Sequence, residues 1–134
     1  MKKVMAFGAF DILHKGHEHY LKEAKNYGDY LIVLVARDQN IAKIKGKKAV
    51  HNELFRLEQI VKLDFVDEAV LGDKEDYLKA LDEYKPDILC LGYDQKTIDE
   101  NKLKEELKKR NINAEIIRAK PFKENIYKSS ILKK

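Results

Sequence analysis

The chain has 134 residues, the length of one domain, and 44% of them are hydrophobic, enough for a core that needs no disulfide. No stretch reaches the roughly 18 apolar residues that a membrane span requires, and Met1-Lys2-Lys3 leads into an apolar run rather than a signal peptide. Charged residues make up 37% of the chain, yet the net charge is only +4, which does not favour nucleic-acid binding. We expect a single-domain cytoplasmic protein with neither a membrane nor a nucleic-acid partner.

Short apolar runs alternate with segments of helical period along the whole chain, which is typical of βαβ units in an α/β domain. Apolar residues three and four apart predict helices, and apolar runs without polar alternation predict strands that are covered on both faces. The predicted strands are Val4–Phe7, Tyr30–Ala36, Glu68–Leu71, Asp87–Leu91 and Ala114–Arg118. The predicted helices are Gly16–Tyr27, Asn52–Leu63, Tyr77–Tyr84 and Asp99–Arg110. Asn52 is predicted to be the N-cap of the second helix.

The sequence also gives a prediction for the lysine-rich stretch Asp38–His51 and for the single cysteine, Cys90. The stretch Asp38–His51 is rich in lysine, contains Gly46 and lacks periodicity, so it is predicted to be a mobile loop over an active site. Cys90 is the single cysteine and lies in an apolar run, which favours a buried, unreactive thiol in a reducing compartment.

The most informative pattern directly follows the first strand. There the chain reads Gly8-Ala9-Phe10-Asp11-Ile12-Leu13-His14-Lys15-Gly16-His17 and opens into a helix. Two imidazole N–H donors beside backbone amides, at the positive end of a helix dipole, are suited to holding phosphates. Metal ligation and simple helix capping are the alternatives for the two histidines, and Asp11 could fix a histidine tautomer or the turn instead of touching a ligand.

Residues suited to binding phosphate also follow the other predicted strands. Open parallel sheets bind ligands at the carboxyl ends of their strands. Arg37-Asp38 follows the second strand, Gly92-Tyr93-Asp94-Gln95 the fourth and Arg118 the fifth, while Arg56 lies in the first turn of the helix after the lysine stretch. The planar guanidinium suits phosphate, so three of the four arginines are predicted to lie along a triphosphate. Surface positions are expected for His19, Lys45, Lys48 and His51, and Ser129-Ser130 could cap a final turn against phosphate or for stability alone.

These residues resemble the nucleotidylyltransferases with an HxGH signature, most closely the archaeal-type FAD synthetases and next the glycerol-3-phosphate cytidylyltransferases. The closer match is carried by Val35-Ala36-Arg37-Asp38, Lys45-Gly46-Lys47, Val66-Asp67-Glu68-Ala69-Val70-Leu71-Gly72 and Leu91-Gly92-Tyr93-Asp94-Gln95. The resemblance implies that Lys47 and Arg56 contact phosphates, that Asp94 lies near the nucleotide and that the protein is a homodimer. We expect a Rossmann-like five-stranded parallel sheet in the order 3-2-1-4-5 with helices on both faces.

The predicted reaction transfers AMP from ATP to FMN, giving FAD and pyrophosphate, with Mg²⁺ bound through the triphosphate. An acceptor phosphate is already ionised at neutral pH, so fixed donors rather than a general base supply the catalysis. We predict a catalytic set of His14, His17, Lys47 and Arg56. Predicted nucleotide contacts are Gly8, Ala9, Phe10, Asp11, Gly16, Arg37, Asp38, Gly92, Asp94, Gln95, Arg118, Ser129 and Ser130.

Two other functions stay open at this point. A cytidylyltransferase would use CTP and glycerol 3-phosphate or a similar small phosphate, whereas a flavin needs an apolar slot for which Phe7, Phe10 and Tyr93 are candidates. A non-catalytic nucleotide-binding or nucleic-acid-binding module is the alternative from another class, and the histidine pair argues against it.

Overall fold

The computed structural model describes residues 1–11, 13–45, 49–73, 77–92 and 99–120. Its strands are β1 (Lys3–Gly8), β2 (Tyr30–Val35), β3 (Glu68–Leu71), β4 (Ile88–Leu91) and β5 (Glu115–Arg118). Its helices are α1 (Lys15–Asn26), α2 (Asp38–Lys45), α3 (Glu53–Val61), α4 (Ala80–Tyr84) and α5 (Glu100–Lys109), with a 3-10 turn over Tyr77–Lys79 before α4.

All strand pairs are parallel, and the sheet order is β3-β2-β1-β4-β5, as predicted. The strand order therefore reverses between β1 and β4, because β1 continues through β2 and β3 on one side and the chain returns to β4 on the other. In such sheets the ligand crevice lies beyond the carboxyl ends of the strands at this point.

Helices cover both faces of the sheet, so both sides of each central strand are apolar. Val4 and Ala6 of β1 belong to the core that contains Leu21 and Ala24 of α1 and Ile60 of α3. The alternate residues Met5 and Phe7 belong to a second core, with its helical side chains drawn from α4 and α5, namely Ala80, Leu81, Leu103 and Leu107. This double burial explains why the strands show no polar alternation in the sequence.

Most predicted boundaries agree with the structure to within two residues. Asn52 caps α3, since its side-chain oxygen accepts the N–H of Phe55. Gly28 follows α1. A Cβ atom at this position would lie 2.7 Å from the carbonyl oxygen of Lys2, so only glycine fits without a shift of the backbone. Cys90 is fully buried, as predicted, and its burial raises the pKa of the thiol to about 12.

The expectation of a loop over Asp38–His51 is wrong for its first part. Asp38–Lys45 is helix α2, with the acidic Asp38 in its first turn. Ile41, a residue of this helix, is buried. The sequence shows only Ile41 and Ile44 as large apolar residues in this helix, too few to display a period.

Candidate active site

The turn between β1 and α1 is shaped by a glycine and a phenylalanine. Phe10 adopts a left-handed backbone conformation with φ of 52°, and its ring folds back under the turn, where it is only 4% exposed. A Cβ atom at Gly8 would lie 2.5 Å from that ring, so glycine is required there. The Phe10 ring meets the His17 ring edge-on, at 5.4 Å between centroids and 76° between planes, and so supports His17 from below.

His14 and His17 lie side by side at the start of α1. Their rings stack with centroids 4.0 Å apart and planes at 26°. Nδ1 of His14 accepts the N–H of Gly16 at 3.0 Å, and Nδ1 of His17 accepts the N–H of His14 at 3.3 Å. Because each Nδ1 is an acceptor, the neutral imidazoles carry their proton on Nε2. Capping of α1, one of the roles considered for these histidines from the sequence, is therefore performed by both side chains, and their role as donors to a ligand stays a prediction.

Gly16 completes this arrangement. A Cβ atom at Gly16 would lie 2.9 Å from Cε1 and 3.1 Å from Nδ1 of His14, so a larger residue would push the His14 ring out of its stacked position. The glycine in the middle of the histidine motif is thus explained by the close approach of the first ring.

Asp11 binds neither histidine. Its two carboxylate oxygens accept the N–H groups of Val50 and His51, at 2.7 and 2.8 Å, and so tie the β1 turn to the segment that precedes α3. Burial alone would raise the pKa of Asp11, but these backbone hydrogen bonds and the positive charges of His51 and Arg56 together bring it below its ordinary value of 3.8. Of the three roles considered for Asp11, fixing the turn is the one that the structure displays.

Arg56 is entirely buried, in contrast to the exposure expected of a residue that reaches a triphosphate. Nε donates to the carbonyl oxygen of His51, and Nη1 donates to the carbonyl oxygens of Ala9 and Ala36, at 3.0, 2.9 and 2.6 Å. Nη2 forms an ion pair with Asp38 at 2.7 Å. Arg56 therefore joins the segments that follow β1 and β2 to the start of α2 and to the segment before α3.

Arg37 and Arg118 are held by two copies of one pattern. Nε of Arg37 donates to the carbonyl oxygen of Gly72, which follows β3, and Nη1 binds Glu53 at 2.9 Å. Nη1 of Arg118 donates to the carbonyl oxygen of Gly92, which follows β4, and Nη2 binds Glu100 at 2.7 Å. Each arginine thus ties the end of a neighbouring strand to the first residue of a helix.

Glu53 and Glu100, the carboxylate partners of these arginines, were not among the residues predicted for the site. Glu53 also accepts the N–H of Asp38 at 2.9 Å, which fixes the start of α2. A signal for both was available, because each is the first residue of a helix whose N-cap, Asn52 or Asp99, can be read from the sequence. Within the described ranges the structure thus brings together His14, His17, Gly8, Ala9, Phe10, Asp11, Gly16, Arg37, Asp38, Arg56, Gly92 and Arg118 at the carboxyl edge of the sheet.

The predicted site residues Lys47, Asp94, Gln95, Ser129 and Ser130 lie outside the described residues, as do Lys48 and Tyr93. His51 is half-buried and its ring packs on Phe55, at 4.5 Å between centroids, so it is less exposed than expected. Among the side chains that the structure describes, no cluster of three or more histidine, cysteine, aspartate or glutamate residues is arranged to hold a metal ion. In the same part of the chain, no helix has the length and apolar composition to cross a membrane.

A parallel sheet of this order, with a histidine pair capping the helix after its first strand, defines a nucleotidyltransferase-type site, and comparison with known proteins agrees. The family model described as cytidylyltransferase-like matches residues 5–134. Two archaeal proteins named FAD synthase are similar to this chain. One, from Ferroglobus placidus, is 52% identical over 118 residues, covering 88% of this chain and 76% of that protein. The other, from Thermoplasma acidophilum, is 45% identical over all 134 residues and 93% of its own length.

Solved structures extend the comparison. The crystal structure of a protein from Thermoplasma volcanium, described as a lipopolysaccharide core biosynthesis protein, is 48% identical with a TM-score of 0.84 and covers 91% of this chain and 98% of its own. The pantoate–β-alanine ligase of Francisella tularensis shares only the fold, at 19% identity and a TM-score of 0.62, over 88% of this chain and 58% of that one. The chain belongs to the cytidylyltransferase-like family. The predicted nucleotidyltransferase class and the predicted resemblance to archaeal FAD synthases are both confirmed.

Proposed function

We propose that this chain transfers AMP from ATP to the phosphate of FMN, releasing pyrophosphate and forming FAD. Archaeal FAD synthases that are 45 to 52% identical over most of the chain support this acceptor and this nucleotide. The observation on the molecule itself that carries the proposal is the stacked His14–His17 pair, whose Nδ1 atoms are occupied by backbone N–H groups.

The reaction needs little covalent chemistry from the protein. An oxygen of the FMN phosphate attacks the α-phosphorus of ATP, the bond from that phosphorus to the α,β-bridging oxygen breaks, and pyrophosphate leaves with the electron pair. With a second pKa near 6, the acceptor phosphate is largely dianionic at neutral pH, so no base has to remove a proton. Catalysis therefore depends on alignment and on stabilising negative charge at the α-phosphate and the leaving group.

His14 and His17 supply that stabilisation in our proposal. Their Nε2–H groups donate to the oxygens on which charge develops, at the N-terminus of α1, where the helix dipole adds positive potential. Because backbone amides fix the tautomer and the rings stack, these donors are oriented before the substrate arrives. Such preorganisation is what makes a donor more effective in a transition state than water.

The other residues predicted for the site take supporting roles in the same proposal. Arg37 and Arg118 are about one quarter and one third exposed, and we propose that the triphosphate competes with Glu53 and Glu100 for their guanidinium groups. Arg56 acts as a positioning residue, since buried carbonyls and Asp38 occupy it. Direct ligand contacts of Gly8, Ala9, Phe10, Asp11, Gly16, Asp38, Lys47, Gly92, Asp94, Gln95, Ser129 and Ser130 stay predictions.

We propose the magnesium complex of ATP as the form of nucleotide that reacts. Polyphosphate oxygens are ligands that Mg²⁺ prefers, and it is often bound with few protein ligands in nucleotide sites.

We also propose a cytoplasmic homodimer. Leu54 and Val61, near the two ends of α3, are 66% and 56% exposed, and Val50, in the segment before α3, is 72% exposed. A second copy of the chain would remove this apolar surface from water. Sedimentation velocity of the purified protein tests the dimer, and a monomer at micromolar concentration would contradict it.

The decisive experiment is a grid of pyrophosphate-release assays that crosses ATP and CTP with FMN, glycerol 3-phosphate and phosphopantetheine. We expect release with ATP and FMN together, and FAD identified in that reaction by its absorbance and retention time. Turnover of CTP with glycerol 3-phosphate instead would contradict the proposal and favour the cytidylyltransferase, which the family-model match keeps as the second candidate.

A further inference from the structure

The carboxyl ends of β1 and β4 form the point where the strand order of the sheet reverses. β1 pairs with β2 as far as Gly8 and Val35, but with β4 only as far as Ala6 and Cys90. The two central strands therefore part from each other just before the turn that carries the histidines. A crevice at such a point is where sheets of this class bind their ligands.

The hydroxyl group of Tyr20 lies where β1 and β4 stop pairing. It accepts the N–H of Phe7 at 3.1 Å and lies 2.5 Å from the carbonyl oxygen of Cys90, with the carbonyl oxygen of Phe7 farther away at 3.3 Å. A phenol has one proton, and the shorter distance assigns it to the Cys90 carbonyl. Tyr20 is only 9% exposed, so these are buried and directional hydrogen bonds. A single side chain of α1 thus joins the ends of both central strands.

Tyr20 lies on the same helix as the histidines, so its hydrogen bonds to β1 and β4 can affect the position of their rings. Tyr20 is three residues after His17, on the turn of α1 that follows the capped N-terminus. The apolar contacts of Leu21 and Ala24 hold one face of α1 on the sheet, and such contacts are non-directional. Two hydrogen bonds to fixed backbone atoms set the height of the helix relative to the strand ends.

We propose that Tyr20 is a positioning residue for adenylyl transfer, because its hydroxyl fixes the N-terminus of α1 so that the Nε2–H donors of His14 and His17 lie over the crevice between β1 and β4. This inference rests on the proposed function of the two histidines. A misplacement of about 1 Å can cost a reaction on the order of 100-fold, so even a partial relaxation of α1 has a measurable effect.

The test is Tyr20→Phe, which removes one oxygen atom and keeps the buried ring. We expect kcat for FAD formation to fall about tenfold or more while KM for ATP changes less than about twofold, because binding contacts are kept and transition-state alignment is lost. The matched control is Tyr27→Phe, which removes a hydroxyl at the other end of α1, where it donates to Glu23. The control should keep the wild-type kcat.

A second measurement separates this inference from the proposed function. The long-range ¹H–¹⁵N spectrum of the ligand-free protein reports the imidazole nitrogens, and we expect the signals of His14 and His17 to shift in Tyr20→Phe while that of His51 stays in place. If the wild-type protein forms no FAD, the proposed function fails, and these signals still decide whether Tyr20 positions the histidines. Unchanged signals together with a wild-type kcat would overturn the inference.

The inference can still be tested if the Tyr20→Phe variant does not fold. If Tyr20→Phe does not fold, Tyr20→Met fills a similar volume without a hydroxyl and is measured in its place. Failure of both variants to fold would overturn the inference, since the hydroxyl would then be a requirement of the fold and not of the alignment of the histidines.

Discussion

The histidine turn and the strand-end arginines both bring N–H donors to the carboxyl edge of the sheet, but different partners hold them. At the turn, backbone amides bind Nδ1 of His14 and His17, so each ring is held through an acceptor atom. At the strand ends, backbone carbonyls and carboxylates bind the guanidinium groups of Arg37, Arg56 and Arg118. The imidazoles are held through their acceptor atoms and the arginines through their donors.

In the proposed function, this difference separates the histidines that act on the phosphate from the arginines that hold the site together. A side chain fixed through its acceptor atom loses none of its donors, whereas a buried guanidinium bound to several carbonyl oxygens has little capacity left for a ligand. The two regions should therefore respond differently to mutation: the histidine turn through catalysis, and the most buried arginine through stability.

The largest effect is expected from the histidines. His14→Ala or His17→Ala should each lower kcat about 100- to 1,000-fold, because each removes one preorganised donor from the transition state. Thermal midpoints should change little, with the loss of the His14 cap costing about 1 kcal/mol. Steady-state FAD formation and thermal unfolding measured on the same samples check both statements.

Two further variants sharpen this prediction. His14→Asn keeps a side-chain oxygen that can cap α1, so it should restore stability and leave the rate low. His19→Ala removes an imidazole from the same helix, outside the motif, and should keep the wild-type rate. Wild-type rates in both His14→Ala and His17→Ala would contradict the proposed donor role.

Arg56→Met should act mainly on stability. The substitution leaves the carbonyl oxygens of Ala9, Ala36 and His51 without their buried donor and removes the partner of Asp38, for a cost of about 3 kcal/mol. That cost lowers the thermal midpoint by about 10 °C in a domain of this size. Urea unfolding monitored by circular dichroism measures it.

The control for Arg56→Met is the same substitution at Arg110. Arg110 binds the carboxylates of Glu106 and Asp82 near the surface, so its loss should cost less than about 1 kcal/mol. If Arg56→Met unfolds like the wild type but loses turnover, Arg56 contacts the substrate directly and the contrast between the two regions is wrong at this residue.

Local signals in the sequence predicted most of the fold and the histidine turn. The period of the apolar residues located the strands, and the short stretch from Gly8 to His17 carried both the turn and its chemistry, because the residues that build it are neighbours in the chain. Helix α2 was missed since a single buried described residue, Ile41, anchors it and gives no period.

The partners of the arginines could not be predicted in the same way. Arg37 and Glu53 are 16 residues apart, Arg118 and Glu100 are 18 apart, and the Tyr20 hydroxyl meets a carbonyl 70 residues further on. No local pattern links such pairs, and their meeting depends on the order of the strands. The sequence therefore identified the arginines as suitable for phosphate without revealing that carboxylates and carbonyls already hold them.

The smallest expected effect concerns Asp11, which links the two regions through the N–H groups of Val50 and His51. Its folded-state pKa lies below 3.8, so its ionised form contributes stability at neutral pH, and that contribution is lost as the pH falls through the lowered pKa. Asp11→Asn should therefore cost about 1 kcal/mol at pH 7, a figure reduced for solvent screening, and less near pH 3. Urea unfolding at both values measures the difference, with Asp64→Asn, at an exposed position, as the surface control. An equal cost of Asp11→Asn at the two pH values would contradict a role of its charge in holding the segment before α3.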